Sequence, residues 1–290
     1  MQYMKPQTAA EAATLLAQNA GAARVLAGGT DLLVQMKSGM IEPQMIVDIK
    51  HMAEVREIAE EDGGLRIGAG VSGQQLGEHA GAVAMWPGVV EAVELIGSTQ
   101  VQGRCTMVGN MCNGSPAADS VPAMMAAGAV ARIAGPNGVR DLAVEEFPLG
   151  PGKIALEVGE FVTSVFLPAR PKGASDAYLR FIPRTEMDIA VANAGVNIAL
   201  AADGTIKAAR IAIGAVGPKV RLVEEAAAAI IGTKLEPEAE AAMVAAARAA
   251  ASPISDKRGT VEFRIQVVGV LVRRAAHIAM ARAKKAGENT

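Results

Sequence analysis

Over the first fifty residues the hydrophobic positions fall in short runs that change period. Thr8-Ala9-Ala10-Glu11 has the spacing of a capping box, and the apolar positions behind it recur at helical intervals to about Gln18, where Asn19 and Gly21 end the pattern. A strand over Ala23–Ala27, a helix over Thr30–Lys37 and a strand over Gln44–Ile49 follow. This strand–helix–strand order predicts a small parallel sheet.

The pattern then turns to hairpins. Residues 55–59 and 65–69 flank Glu61-Asp62-Gly63-Gly64, a two-strand turn signal. Helical stretches are predicted at Ser72–His79, Val89–Ile96 and Ala118–Ala127, with a glycine-rich loop before the last. A second hairpin turns at Pro136-Asn137-Gly138, and a strand runs over Phe161–Leu167. Pro168, Pro171 and Gly173 break the composition, so a domain boundary is placed near residue 172. Beyond it, Tyr178–Arg184, Ala190–Ala201 and Ala208–Val216 read as antiparallel strands, with helices at about 221–231, 237–250 and 260–285.

Composition narrows the chemistry. The 290 residues are 51% hydrophobic but only 3% aromatic, so small aliphatic side chains must do the packing. A net charge of −2 argues against a nucleic-acid binder, which would need a basic surface to neutralise phosphates. Arg273, Arg274, Arg282, Lys284 and Lys285 read as the solvated face of the last helix. No apolar run reaches membrane-spanning length and no secretory leader is legible at the start. Cys105 and Cys112 make no disulfide framework, which suits a reducing cytoplasm, and two thiols cannot ligate an iron–sulfur cluster. His51, His79 and His277 lack metal-ligand spacing. No metal site and no nucleophile–base set is expected, so any redox chemistry must come from an organic cofactor.

Two segments suggest where such a cofactor would bind. In Leu26–Gly39 a strand feeds Gly28-Gly29, which expose backbone N–H groups with no Cβ in the way. Thr30 is the expected N-cap of the next helix, whose first amides would face an anion. The second segment, residues 103–119, is dense in glycine and small polar residues and also precedes a helix. Two such loops can grip a diphosphate from opposite sides, whereas one rarely supplies enough donors. Gly68-Ala69-Gly70-Val71-Ser72-Gly73 matches GxGxxG, but it follows the second strand of a hairpin and no acid closes a neighbouring parallel strand. A Rossmann site is not expected there.

Ala27-Gly28-Gly29-Thr30-Asp31-Leu32-Leu33, Thr106-Met107-Val108-Gly109-Asn110 and Ser115-Pro116-Ala117-Ala118-Asp119 together resemble the FAD-binding medium subunits of molybdenum hydroxylases, the group of carbon monoxide dehydrogenase and xanthine dehydrogenase. The resemblance extends through residues 180–190 and 255–264. It implies an α+β fold. A two-part FAD-binding domain over 1–172 (a parallel βαβ unit over about 1–52, and a mainly antiparallel sheet with helices over 53–172) would precede a smaller C-terminal α/β domain over 173–290. It also implies that Ala27, Gly28, Gly29, Thr30, Asp31 and Leu32 line the diphosphate with Thr106, Val108, Gly109 and Asn110, chiefly through backbone N–H. Asp119 would be a further FAD contact, Arg180 a basic group near the flavin, and Ile96 and Val162 apolar neighbours of the ring system. Without the resemblance, Asp119 reads equally as a helix cap, Arg180 as a surface strand residue and Tyr178 as a core tyrosine.

Val108 stands where these subunits usually carry the first glycine of a pair, and a valine there resists positive φ. The implied activity is electron transfer: FAD here, a molybdenum–pterin cofactor on a large partner, [2Fe–2S] clusters on a small one, a dimer of heterotrimers, and a terminal acceptor. A stand-alone flavin- or NAD-dependent oxidoreductase and a non-catalytic nucleotide-binding scaffold remain the alternatives.

Overall fold

A computed structural model describes residues 1–288. The chain opens with β1 (Gln2–Met4), α1 (Ala9–Gln18), β2 (Ala23–Leu26), α2 (Leu32–Lys37) and β3 (Met45–Asp48). The strands form a parallel sheet in the order β1-β3-β2. β3 is buried at all four positions, as a central parallel strand must be. Thr8 caps α1 through its side chain, which accepts the Glu11 N–H; Glu11 in turn accepts the N–H of Gln7 at 2.8 Å.

A second, antiparallel sheet has the order β4-β5-β10-β6-β7, built from β4 (Ile58–Glu61), β5 (Gly64–Gly68), β6 (Val130–Gly135), β7 (Gly138–Ala143) and β10 (Phe161–Leu167). Asp62 and Gly63 both sit at positive φ (48° and 74°), the conformation a tight two-residue hairpin turn demands. Between the hairpins come α3 (Gly73–Glu78), α4 (Ala80–Met85), α5 (Pro87–Glu94), α6 (Met107–Cys112) and α7 (Ser120–Ala127); β8 (Pro148–Gly150) and β9 (Lys153–Ile154) pair beside them.

The last third forms the antiparallel sheet β11 (Ala174–Phe181), β12 (Ala192–Leu200), β13 (Ile206–Gly214) and β14 (Arg221–Leu222), with α8 (Glu224–Ala228), α9 (Pro237–Ala249) and α10 (Val261–Glu288). Alternation along β12 divides its two faces. Ala192, Ala194, Val196 and Ile198 join the core that α10 covers, while Gly195 faces α7 so closely that a Cβ would lie 2.5 Å from the Pro122 carbonyl oxygen.

Several expectations shift. β1 has no apolar alternation and was not legible. The glycine-rich loop contains α6. The strand expected at 178–184 runs instead over 174–181, because the turn-rich stretch from Pro183 leaves the sheet. The helix expected from 221 begins at Glu224, its first two positions being taken by β14 pairing with β13.

Candidate functional site

The two loops converge on each other. Gly28 follows β2, and a Cβ on it would lie 2.0 Å from the Arg104 carbonyl oxygen and 3.1 Å from Cys105 Cα. Only glycine lets the first loop rest on the backbone of the second. Gly29 then takes φ +79°, turning the chain into α2. The backbone N–H groups of Gly28, Gly29, Thr30, Asp31 and Leu32 donate to no acceptor among the described residues. Successive bare amides of this kind make an anion-binding concavity. Thr30 is not the cap expected of it: α2 begins at Leu32 behind Asp31, and no side chain caps it. The Asp31 carboxyl is pushed upward by desolvation, which shifts it toward the neutral form and lessens the repulsion an anion would meet there.

The second loop is organised differently. Thr106 caps α6, its Oγ1 accepting the Gly109 N–H at 2.8 Å, while the Asn110 N–H bonds the Thr106 carbonyl at 3.0 Å. These two amides are therefore spent inside the protein. What remains on the cavity lining is the Val108 N–H, without a protein acceptor among the described residues, and the Asn110 side chain. Val108 causes no strain. It is the second residue of α6 and is not among the positive-φ residues, so a glycine is not required by its backbone.

Between the loops lies a cavity of ≈ 420 Å³. Ala27, Gly28, Gly29, Thr30, Asp31, Leu32, Ile96, Thr106, Val108, Gly109, Asn110 and Val162 all line it. Its amide-rich side faces apolar walls that include Leu16, Ile49, Ile154, Leu156 and Phe161, the mixture a large amphipathic cofactor needs. A diphosphate fits the run of free amides, and a flat apolar ring system fits the walls.

Sequence reasoning missed one whole wall, the strap from Ile154 to Phe161. Arg140 pins it, reaching Glu160 at 2.6 Å and the Ala155 carbonyl at 2.8 Å. Gly159, at φ +84°, wedges between Ala17 and Pro136. The signal available was that lone glycine before a strongly apolar strand.

Asp119 and Arg180 stand off the cavity lining. Asp119 precedes α7 without capping it; its carboxylate accepts the Tyr178 hydroxyl at 2.7 Å and Arg180 Nη1 at 2.8 Å. Burial pushes Asp119 up to about 6, with the Arg180 charge and both hydrogen bonds drawing it back. Tyr178 is a core residue, 2% exposed, with its hydroxyl committed.

The match to a family model for the FAD-binding domain of molybdopterin dehydrogenases spans residues 1–170. The chain belongs to that family. Residues 177–279 match the C-terminal domain of the CO dehydrogenase flavoprotein. Among curated relatives, the carbon monoxide dehydrogenase medium chain of Afipia carboxidovorans is 34% identical, with 97% of each chain covered. The putative xanthine dehydrogenase FAD-binding subunit of Escherichia coli K12 is 31% identical over 97% of this chain and 96% of that one. The solved structure of reconstituted CO dehydrogenase from Oligotropha carboxidovorans superposes with a TM-score of 0.93 at 33% identity, covering 97% of this chain and 98% of the other. The family accounts for the mixed fold, with its parallel three-stranded sheet ahead of two antiparallel ones. Among the described residues no cluster of His, Cys, Asp and Glu could hold a metal ion, and no helix is long and apolar enough to cross a membrane.

Proposed function

We propose that this chain is the FAD-holding electron-transfer subunit of a molybdenum-containing hydroxylase or dehydrogenase. The observation that carries the reading is the contact of Gly28 with the Arg104 backbone, which sets five free amides on one side of a cavity with apolar walls. When bound, FAD supplies the reversible redox chemistry of its isoalloxazine ring. The protein's own residues bind and orient. The amides of Gly28–Leu32 and Val108 hold the diphosphate, and the Asn110 carboxamide supplies a further donor. Ile96 and Val162, on the apolar lining, would lie against the ring and exclude water.

Residues 1–172, as two parts joined near residue 52, would form the FAD domain, and 173–290 the C-terminal domain. Electrons would enter from [2Fe–2S] clusters on a small partner and leave to a terminal acceptor, with the molybdenum–pterin centre on a large partner. The assembly would be a cytoplasmic dimer of heterotrimers. Copurification of the chain with its genomic neighbours, followed by flavin, iron and molybdenum analysis, tests this. Flavin on this chain with iron and molybdenum on its partners is the expected result. Flavin without either metal would leave a stand-alone flavoprotein, and no flavin at all would overturn the reading.

A further inference from the structure

We infer that Ser120 is a positioning residue for the cavity: it fixes which way round the Asn110 carboxamide stands, and so makes Asn110 a donor-only contact. The inference rests on the cavity being the FAD site. Asn110 Oδ1 receives two hydrogen bonds from Ser120, the backbone N–H at 3.1 Å and the hydroxyl at 2.8 Å. A backbone N–H can only donate, so the amide atom facing it must be the oxygen. The reversed carboxamide would set two donors against each other, and Ser120 is 0% exposed, so no solvent would relieve the clash. The hydroxyl has one proton and a second acceptor, the Met107 carbonyl, but that lies farther off at 3.3 Å. Asn110 Nδ2 is thereby left with two N–H groups and no acceptor among the described residues, on a residue that lines the cavity. Such a group selects a ligand acceptor, a phosphoryl oxygen or a ring carbonyl, and repels a ligand donor.

The resemblance gives a role to Asp119 and none to Ser120 beside it. Its role follows from α7 starting where α6 presents Asn110, ten residues earlier in the chain.

The test is an FAD titration of the full-length chain for wild type, Ser120→Ala, Ser120→Thr, Asn110→Ala and the Ser120→Ala/Asn110→Ala pair, with thermal unfolding of each apo form. Ser120→Ala keeps the backbone N–H that sets the orientation but removes the hydroxyl that holds Oδ1 at a second point. The carboxamide is then held less firmly, and FAD binding should weaken about three- to tenfold, the effect of one hydrogen bond. Ser120→Thr, which keeps the hydroxyl, should restore most of that loss. In the Asn110→Ala background the Ser120 change should have no further effect, whereas a merely structural role would cost the same in both backgrounds. If Asn110→Ala does not fold, Asn110→Ser serves as the second background. A wild-type chain that takes up no FAD overturns both the flavin reading and this one. Wild-type uptake with unchanged affinity in Ser120→Ala, or an equal loss in both backgrounds, overturns this one alone.

Discussion

Gly28→Ala perturbs the contact between the two loops directly. The new Cβ would stand 2.0 Å from the Arg104 carbonyl oxygen and 2.8 Å from its carbon, where ordinary contact begins at 3.4 Å. Both atoms belong to the backbone, so no side chain can rotate away, and one loop must move by more than an ångström. Overpacking of this kind costs about 1–3 kcal/mol. Because the displaced loop carries the free amides of Gly28–Leu32, part of that cost falls on the bound state. If all of it did, FAD affinity would drop about 5- to 150-fold, at 1.4 kcal/mol per factor of ten. Flavin-fluorescence titration of the apo-chain, run beside thermal unfolding, measures both shares. Gly150→Ala is the control, since nothing lies within 4 Å of its Cβ position and its φ is ordinary. Gly28→Ala binding FAD as tightly as wild type at an unchanged Tm would refute the claim that the loops must touch.

Arg180→Met should destabilise the chain by about 3–5 kcal/mol in urea unfolding, because it strands the buried Asp119 carboxylate; adding Asp119→Asn should recover most of the loss. Thr106→Ala should cost about 1 kcal/mol through the lost α6 cap, read as a fall in Tm. Asp176 predicts a pH trend. Burial pushes its carboxyl up to about 7 in the fold, above the roughly 3.9 of an unfolded chain. Its contribution is therefore intact below that unfolded value and lost as pH rises through about 7, on the order of a few kcal/mol in all. Tm should fall between pH 5 and 8 in wild type and fall less in Asp176→Asn; equal slopes would exclude Asp176 as the source.

The legible parts of the fold were those written in local chemistry. Asp62-Gly63 set a hairpin through its own backbone preference, and the Gly28-Gly29 pair marked a loop where a close approach was needed. β1 escaped because its three residues are too few to show a period and its ties to β3 are long-range, a parallel backbone ladder and the Tyr3 hydroxyl on Asp48. α6 was hidden by its glycine and its brevity; it is a six-residue helix nucleated by the Thr106 side chain. The strap from Ile154 to Phe161 has no period of its own and takes its path from Arg140, twenty residues before Glu160. Twelve of the fourteen expected site residues lie around one cavity. The two that do not, Asp119 and Arg180, found each other across 61 positions of chain, a pairing that no local pattern announces.

Every residue of α7 is buried, and its neighbours come from both sides of the composition break near residue 172. The core that surrounds it takes in Tyr178, Ala212 and Val220 as well as β5 and β10. Severing the polypeptide at that break would uncover a helix with no polar face to offer water. The amino-terminal fragment should then precipitate rather than persist as a miniature flavoprotein, and limited proteolysis should give a nicked but undissociated molecule.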